Sequence, residues 1–222
     1  MDYSLIIPVY NEEKALPALI EELEKINKNI EIIFINDGSS DQTSQILSKY
    51  TGKFKIIENE TNLGKGASLQ KGIIAANKKN IFLIDGDLEI DTDSIPILIR
   101  QFESSECDAM FGVRWRRFEL QPLGVNRLGN FLINEIFNFI YNTNFSDVLC
   151  CVKIIKTHII QNKKINSNSF EIECEIMRIV ALNQISYKEH KVKYIRRKVS
   201  EGKKLKYSDS WSILKTIIFY KD

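Results

Sequence analysis

Short apolar runs and helical patterns alternate through the first half of the chain. Residues 4–9, 31–35, 54–58 and 81–84 are brief, rich in Ile and Phe and bounded by turn residues, which predicts buried strands. Between them, residues 12–26 carry Leu16, Leu19, Ile20 and Leu23 at helical spacing, and 41–50 and 64–78 continue the alternation. This order implies an α/β fold, a doubly wound and mostly parallel central sheet flanked by helices, with ligands at the carboxyl ends of the strands. The polar segments 10–13, 36–43 and 85–89 fall at those ends.

The second half is less regular. Residues 108–113 read as a strand and 114–124 as a loop. Leu128, Phe131, Leu132, Ile136, Phe139 and Ile140 follow a helical period, and Ile133, Phe137 and Tyr141 add apolar side chains on the other side. Such a helix is either widely buried or touches lipid. Residues 148–155 and 185–195 read as strands flanking a helix over about 171–182. A last segment, 209–220, sets Trp211, Leu214, Ile217 and Ile218 roughly on one helical face. No internal repeat or Gly/Ser linker interrupts the chain, so the expectation is a single domain over 1–209 followed by an amphipathic helix over 210–222.

At 222 residues the chain can bury a sizeable core, and 44% hydrophobic residues exclude a disordered protein. The four cysteines form no spaced pair of zinc ligands and read as reduced core thiols, which points to the cytoplasm. No apolar run approaches 18 residues, which argues against a membrane span. Charge is uneven. Residues 1–100 carry 11 basic against 16 acidic side chains, residues 101–222 carry 20 against 13, and nine basic residues crowd into 188–206. That stretch suggests an anionic partner or an anionic membrane surface. Only Tyr194 and Tyr207 lie in or beside it, too few aromatics for a single-stranded nucleic acid, so no nucleic-acid partner is expected.

Spacing disposes of several chemistries. Gly64-Lys65-Gly66-Ala67-Ser68 lacks the gap of a phosphate-binding P-loop and the third glycine of a dinucleotide fingerprint. His158 and His190 stand outside the strand-end motifs, and no G-x-S-x-G occurs, which disfavours a hydrolase triad. Asp85-Gly86-Asp87-Leu88-Glu89 is the sharpest local feature. It emerges from a buried strand end, where Gly86 permits a tight turn, and its hard oxygens suit Mg²⁺ or Mn²⁺ shared with substrate phosphates. Asn36-Asp37-Gly38-Ser39-Ser40-Asp41 reads in two ways at once: Asp41 caps the next helix, and Asp37 can accept hydrogen bonds from a nucleobase or ribose. In Pro8-Val9-Tyr10-Asn11-Glu12-Glu13, Asn11 is placed to cap a helix while Glu12 or Glu13 can reach a nucleotide.

In this order, Ile7-Pro8-Val9-Tyr10-Asn11-Glu12-Glu13, Asn36-Asp37-Gly38-Ser39-Ser40-Asp41, Asn62-Leu63-Gly64-Lys65-Gly66 and Asp85-Gly86-Asp87 resemble the inverting family 2 glycosyltransferases of the GT-A fold. Gly112-Val113-Arg114, the run from Asp147 to Lys153, Phe170-Glu171-Ile172-Glu173, and Arg197 with Glu201-Gly202-Lys203-Lys204 are similar to the branch containing dolichol-phosphate mannose synthases and polyprenyl-phosphate glucosyltransferases. The resemblance implies that Asp37 faces the base, that Pro8, Tyr10 and Glu12 line the nucleotide pocket with Lys65 and Asp85, and that Asp85, Asp87 and Glu89 serve the metal and diphosphate. It also implies Asp87, Arg114 and Arg197 as the catalytic set. The chain departs from the pattern at Glu89, where the mannose synthases usually have Gln, and at Cys151, where Gly is common.

The activity so implied is a single in-line displacement with inversion, moving a hexose from a nucleotide sugar such as a UDP- or GDP-hexose to a polyprenyl phosphate. Mg²⁺ or Mn²⁺ would neutralise the leaving diphosphate, and Arg114, Arg197, Lys203 and Lys204 would clamp phosphate oxygens. The protein would work in the cytoplasm, peripheral to the inner membrane face. A hydroxyl acceptor in a surface glycan or lipid is the alternative, with Asp147, Glu171 or Glu173 as candidate base.

Overall fold

A computed structural model of the chain describes residues 2–26, 30–117, 125–197 and 209–219. Seven strands, β1 (Tyr3–Val9), β2 (Glu31–Asn36), β3 (Lys55–Glu58), β4 (Asn80–Leu83), β5 (Ala109–Val113), β6 (Lys153–Lys156) and β7 (Tyr187–Lys191), form one sheet in the order β3-β2-β1-β4-β6-β5-β7. Strand β6 runs antiparallel to β4 and β5, and every other pairing is parallel. The sheet is mostly parallel because β1 to β4 are joined by crossover helices, and its strands are apolar on both faces because helices cover both.

Alternation along each strand divides the core in two. Leu5, Ile7 and Val9 of β1 with Phe34 and Phe82 meet α1 (Leu16–Lys25), α2 (Thr43–Ser48) and α4 (Ser94–Glu103), through Leu19, Leu23, Leu47, Leu98 and Phe102. Ile6 with Ile33, Ile35, Leu83 and Phe111 meets α3 (Lys65–Ala75), α5 (Val125–Tyr141), α6 (Thr157–Ile160), α7 (Ile172–Leu182) and α8 (Asp209–Phe219). Helix α8 turns Ile213 and Ile217 into this second cluster, and the Tyr141 hydroxyl of α5 donates to the Ile217 carbonyl at 3.0 Å. Trp211 and Ile218 point outward instead, so the face expected to lie on one side is split.

Three elements differ from the sequence pattern. Helix α1 starts at Leu16, with Pro17 in its first turn, because Asn11 does not cap it: that residue sits at φ 50° and its side-chain oxygen accepts the Ser40 N–H. Helix α4 was not anticipated, although Ile95, Leu98, Ile99 and Phe102 keep helical spacing. The strand expected over 148–155 shrinks to β6. Before it, Asn134 and Asn138 of α5 bond to the Phe145 carbonyl and the Val148 N–H, satisfying with side-chain amides a backbone that would otherwise need a neighbouring strand.

At the carboxyl end of β4, Gly86 lies against β1: a Cβ there would stand 2.5 Å from Val9 Cγ1 and 3.3 Å from the Pro8 carbonyl oxygen. Gly86→Ala should therefore overpack this edge and cost about 1–3 kcal/mol, read as a lower urea midpoint at unchanged m-value. A midpoint equal to wild type would show that the turn has room to spare.

Candidate active site

Residues 85–89, just beyond β4, form an acid turn held under stress. Leu88 takes φ 59°, a left-handed conformation costly for a side chain of this type, and Asp87 accepts the Glu89 N–H at 3.0 Å. Burial, then the charges of Asp85, Glu89 and Glu12, push the Asp87 carboxyl up to about 7, only partly opposed by that hydrogen bond. Asp87 thus feels the negative charge of three other carboxylates, which a cation beside it would relieve.

One such charge is built in. Lys65, at the start of α3, places its ammonium 2.6 Å from Asp85 Oδ1 and 2.8 Å from Glu173 Oε1. The second Glu173 oxygen pairs with Lys153, a lysine that is 1% exposed on β6 and also donates to the Cys150 carbonyl. Burial alone would lower the pKa of Lys65, but Asp85 and Glu173 outweigh it and hold the ammonium well above its ordinary range. Burial likewise works against ionised Glu173, and Lys153 and Lys65 reverse it. The lysine reaches this point because its loop is pinned from below. Asp37 accepts the Leu63 N–H at 2.9 Å, the Gly64 N–H at 2.9 Å and the Asn59 amide at 2.8 Å. Gly64, at φ 96°, passes so near residue 168 that a Cβ would meet its carbonyl oxygen at 2.2 Å.

The segment after β7 crosses over the acid turn. Ile195 N–H reaches the Glu89 carbonyl at 2.7 Å, Tyr194 OH donates to Glu89 Oε2 at 3.0 Å, and the Arg197 N–H donates to Glu89 Oε1 at 3.0 Å. Arg197 then extends to Glu12, its Nη1 lying 3.1 and 2.9 Å from the two carboxylate oxygens. Arg114, at the end of β5, is bidentate to Asp147, through Nε and Nη2 at 2.8 Å each, and its guanidinium stacks 4.6 Å from the Trp115 ring. Cys151 sits near enough to Asp85 and Lys65 to feel both charges. Its thiol is held well above the ordinary range by Cys150, burial and Asp85, so it forms an uncharged wall.

Glu12, Lys65, Asp85, Asp87, Glu89 and Arg197 are therefore gathered at one sheet edge, joined by hydrogen bonds or by mutual electrostatics. Pro8 and Tyr10 are half-buried at the end of β1, Pro8 beside Gly86. Two residues are oriented otherwise than expected. Asp37, 3% exposed, turns inward and spends its oxygens on the neighbouring 59–64 loop instead of presenting them to a base. The fork of Arg114 faces Asp147, which leaves its Nη1 side for other partners. Lys203 and Lys204 lie outside the described residues. Sequence reasoning gave no role to Tyr194, Trp115 or Lys153. The first two carry no local signal, whereas Lys153 could have been noticed as a charge set within the apolar run Val152 to Ile155.

A divalent ion fits the donor chemistry here but not as a closed cage. Among the described residues no three Asp, Glu, His or Cys side chains converge closely enough to hold an ion by themselves, since Asp85 is paired with Lys65 and Glu89 with Tyr194 and Arg197. Mg²⁺ and Mn²⁺ sites commonly use one or two carboxylates and complete the shell with substrate phosphates, and Asp87 has the unrelieved charge for that. A separate cavity of about 960 Å³ opens near the opposite strand ends, lined by Tyr3, Asn80, Phe102, Lys156 and His158, and contains none of these motif residues.

The family described as glycosyl transferase family 2 matches residues 4–162. An uncharacterised protein of Methanocaldococcus jannaschii is 34% identical over 72% of this chain and 73% of its own. Dodecaprenyl-phosphate galacturonate synthase of Rhizobium johnstonii is 30% identical over 74% of this chain and 51% of its own. Human dolichyl-phosphate β-glucosyltransferase is 37% identical over 38% of this chain and 30% of its own. The chain spans about half the length, or less, of these two named enzymes. Among solved structures, glucosyl-3-phosphoglycerate synthase from Mycobacterium tuberculosis in complex with phosphoglyceric acid superposes with a TM-score of 0.75, covering 97% of this chain and 78% of that one at 15% identity. The same enzyme has been crystallised with Mn²⁺, UDP and glucosyl-3-phosphoglycerate. At that identity the likeness bears on the fold alone, which is GT-A.

The Asp87 carboxyl sets a pH dependence. Because folding raises its pKa from the ordinary carboxylate range to about 7, the folded chain keeps a proton that the unfolded chain has released, so this group's contribution to stability falls as pH rises from about 4 to 7. In EDTA, Asp87→Asn should melt above wild type at about pH 7.5 and lose that advantage towards about pH 4.5. Equal melting temperatures at pH 7.5 would mean that Asp87 is not under this stress.

Proposed function

The chain belongs to glycosyl transferase family 2, and on that footing we propose that it moves a hexose from a nucleoside-diphosphate sugar to a polyprenyl phosphate, with inversion in one in-line displacement. Relatives named for dodecaprenyl, dolichyl and undecaprenyl phosphates support this acceptor class. The observation that carries it is the state of the candidate bases. Asp147 is locked to Arg114, Glu173 to Lys65 and Lys153, and Glu171 accepts the Ser169 N–H at 3.1 Å. A sugar hydroxyl needs a base as it attacks. A phosphate monoester, whose second pKa is about 6, is already an anionic nucleophile at neutral pH.

Each residue then has a task. Asp87, with Asp85 beside it, would hold Mg²⁺ or Mn²⁺ against the donor diphosphate, and the ion, when bound, neutralises charge on the leaving group. Lys65 adds a fixed positive charge at the N-terminus of α3, where helix dipole and ammonium both favour an anion. Pro8, Tyr10 and Glu12 border the nucleotide, and Asp37 supports them by fixing the 59–64 loop. Arg114 offers the acceptor phosphate its Nη1 side, and Arg197 orders Glu12 while carrying positive charge towards the same edge. The proton affinity of Asp87 suits a general base, but a divalent ion bound there would cancel it, which again favours the phosphate acceptor.

The acceptor also explains an exposed surface. On α5, Leu128, Leu132 and Phe139 form a stripe, Phe139 being 88% exposed; on α8, Trp211, Ile218 and Phe219 are also uncovered. No described helix is long and apolar enough to cross a membrane. These apolar faces are suited to resting on a bilayer that holds the lipid acceptor.

The test supplies UDP- and GDP-hexoses with Mn²⁺ and, separately, polyprenyl phosphate or polyprenol. Product is expected only from the phosphate, and should vanish in EDTA and in Asp87→Ala. Phe139→Glu combined with Trp211→Glu should lose turnover on acceptor embedded in vesicles but keep it on acceptor in detergent. Product from polyprenol or a free glycan alone, lost on removing Asp147 or Glu173, would replace this reading with the hydroxyl acceptor.

A further inference from the structure

We infer that Tyr194 is a positioning residue that fixes the acid turn on the donor side and Arg114 on the acceptor side, an inference that rests on the proposed transfer. The contacts around it are specific. Its backbone pairs with Ile90 in an antiparallel bridge, and Asp91 N–H reaches the Lys193 carbonyl at 3.1 Å, so the segment is laced directly across the turn. Its hydroxyl donates to Glu89 Oε2 at 3.0 Å while the Arg197 N–H holds Oε1, so neither carboxylate oxygen of Glu89 can swing freely. Glu89 in turn gives its N–H to Asp87 Oδ1 at 3.0 Å. The Tyr194 hydroxyl therefore acts on Asp87 through one intervening residue.

The ring does separate work. It lies 5.5 Å from the Arg114 guanidinium carbon and meets the Trp115 ring edge-on, at 6.3 Å between centroids and 81° between planes. Arg114 is thus enclosed by Asp147 on one edge and by the faces of two aromatics, which leaves it one direction in which to offer a hydrogen bond. A tyrosine meets both demands with one side chain: a polar tip for the carboxylate and an apolar, electron-rich face for the arginine.

Substitutions separate the two roles. Tyr194→Phe keeps the ring and removes the hydroxyl; Tyr194→Leu removes both. Binding of Mn²⁺ with UDP, and of Mn²⁺ with GDP, is measured on the full chain by electron paramagnetic resonance, which needs no acceptor. The dissociation constant of Mn²⁺ should rise about 10-fold in Tyr194→Phe, as when an outer partner of a metal-holding carboxylate is lost, while the acceptor KM stays as in wild type. Tyr194→Leu should show the same weakening and, in addition, a raised acceptor KM. In a Glu89→Ala background the effect of Tyr194→Phe on Mn²⁺ should shrink below about twofold, because the hydroxyl acts through that carboxylate. An unchanged Mn²⁺ affinity in Tyr194→Phe, or an equal effect with and without Glu89, overturns the inference while wild-type binding leaves the proposed function standing. Wild type that binds Mn²⁺ with neither nucleotide overturns both.

Discussion

A row of alternating charges, Asp85, Lys65, Glu173 and Lys153, holds the functional edge together. It joins the end of β4, the start of α3, the start of α7 and the start of β6, four segments far apart in the chain. Burying any one of these ions alone would cost several kcal/mol, and removing one partner from such a set is typically destabilising by about 3–5 kcal/mol. Alternation makes the burial tolerable. Strand β6, lying between β4 and β5, brings Lys153 to one oxygen of Glu173, which leaves the other for Lys65. The result is an ammonium fixed at a helix N-terminus, at the carboxyl edge of the sheet.

The same edge is left unbalanced elsewhere. Lys65 attends to Asp85 and Arg197 to Glu12, but Asp87 stays among like charges with its carboxyl pushed up to about 7. Left-handed Leu88 adds backbone strain at the same turn. Strain and like-charge crowding are gathered in these few residues, and the surrounding sheet, apolar on both faces, carries them.

Much of this was legible in the sequence because it is local. Strands β1, β2 and β4 are buried on both faces, so their apolar runs stand out, and the polar motifs that follow them sit where a parallel sheet places its ligands. The acid turn follows β4 and Lys65 opens α3, two elements that the hydrophobic pattern locates. What was hidden depends on partners far along the chain. Arg114 and Asp147 are 33 residues apart, Tyr194 and Glu89 105, and no periodicity announces such pairs. Asp37 shows the same limit: its position at a strand end was clear, but only the backbone N–H groups of Leu63 and Gly64 decide that its carboxylate turns inward. The strand expected over 148–155 is shortened to β6 for a related reason, since the Val148 N–H goes to Asn134 of α5 instead of a neighbouring strand.

The claim on which all of this turns is that the strand-end acids form the donor-diphosphate site. Crystals grown with Mn²⁺ and a nucleoside diphosphate, with data collected at the manganese absorption edge, locate the ion directly. The anomalous peak should lie within about 2.0–2.3 Å of an Asp87 carboxylate oxygen, with diphosphate oxygens completing its shell and the Lys65 ammonium beside them. A peak elsewhere, or a nucleotide bound away from Asp87 and Lys65, would contradict the account.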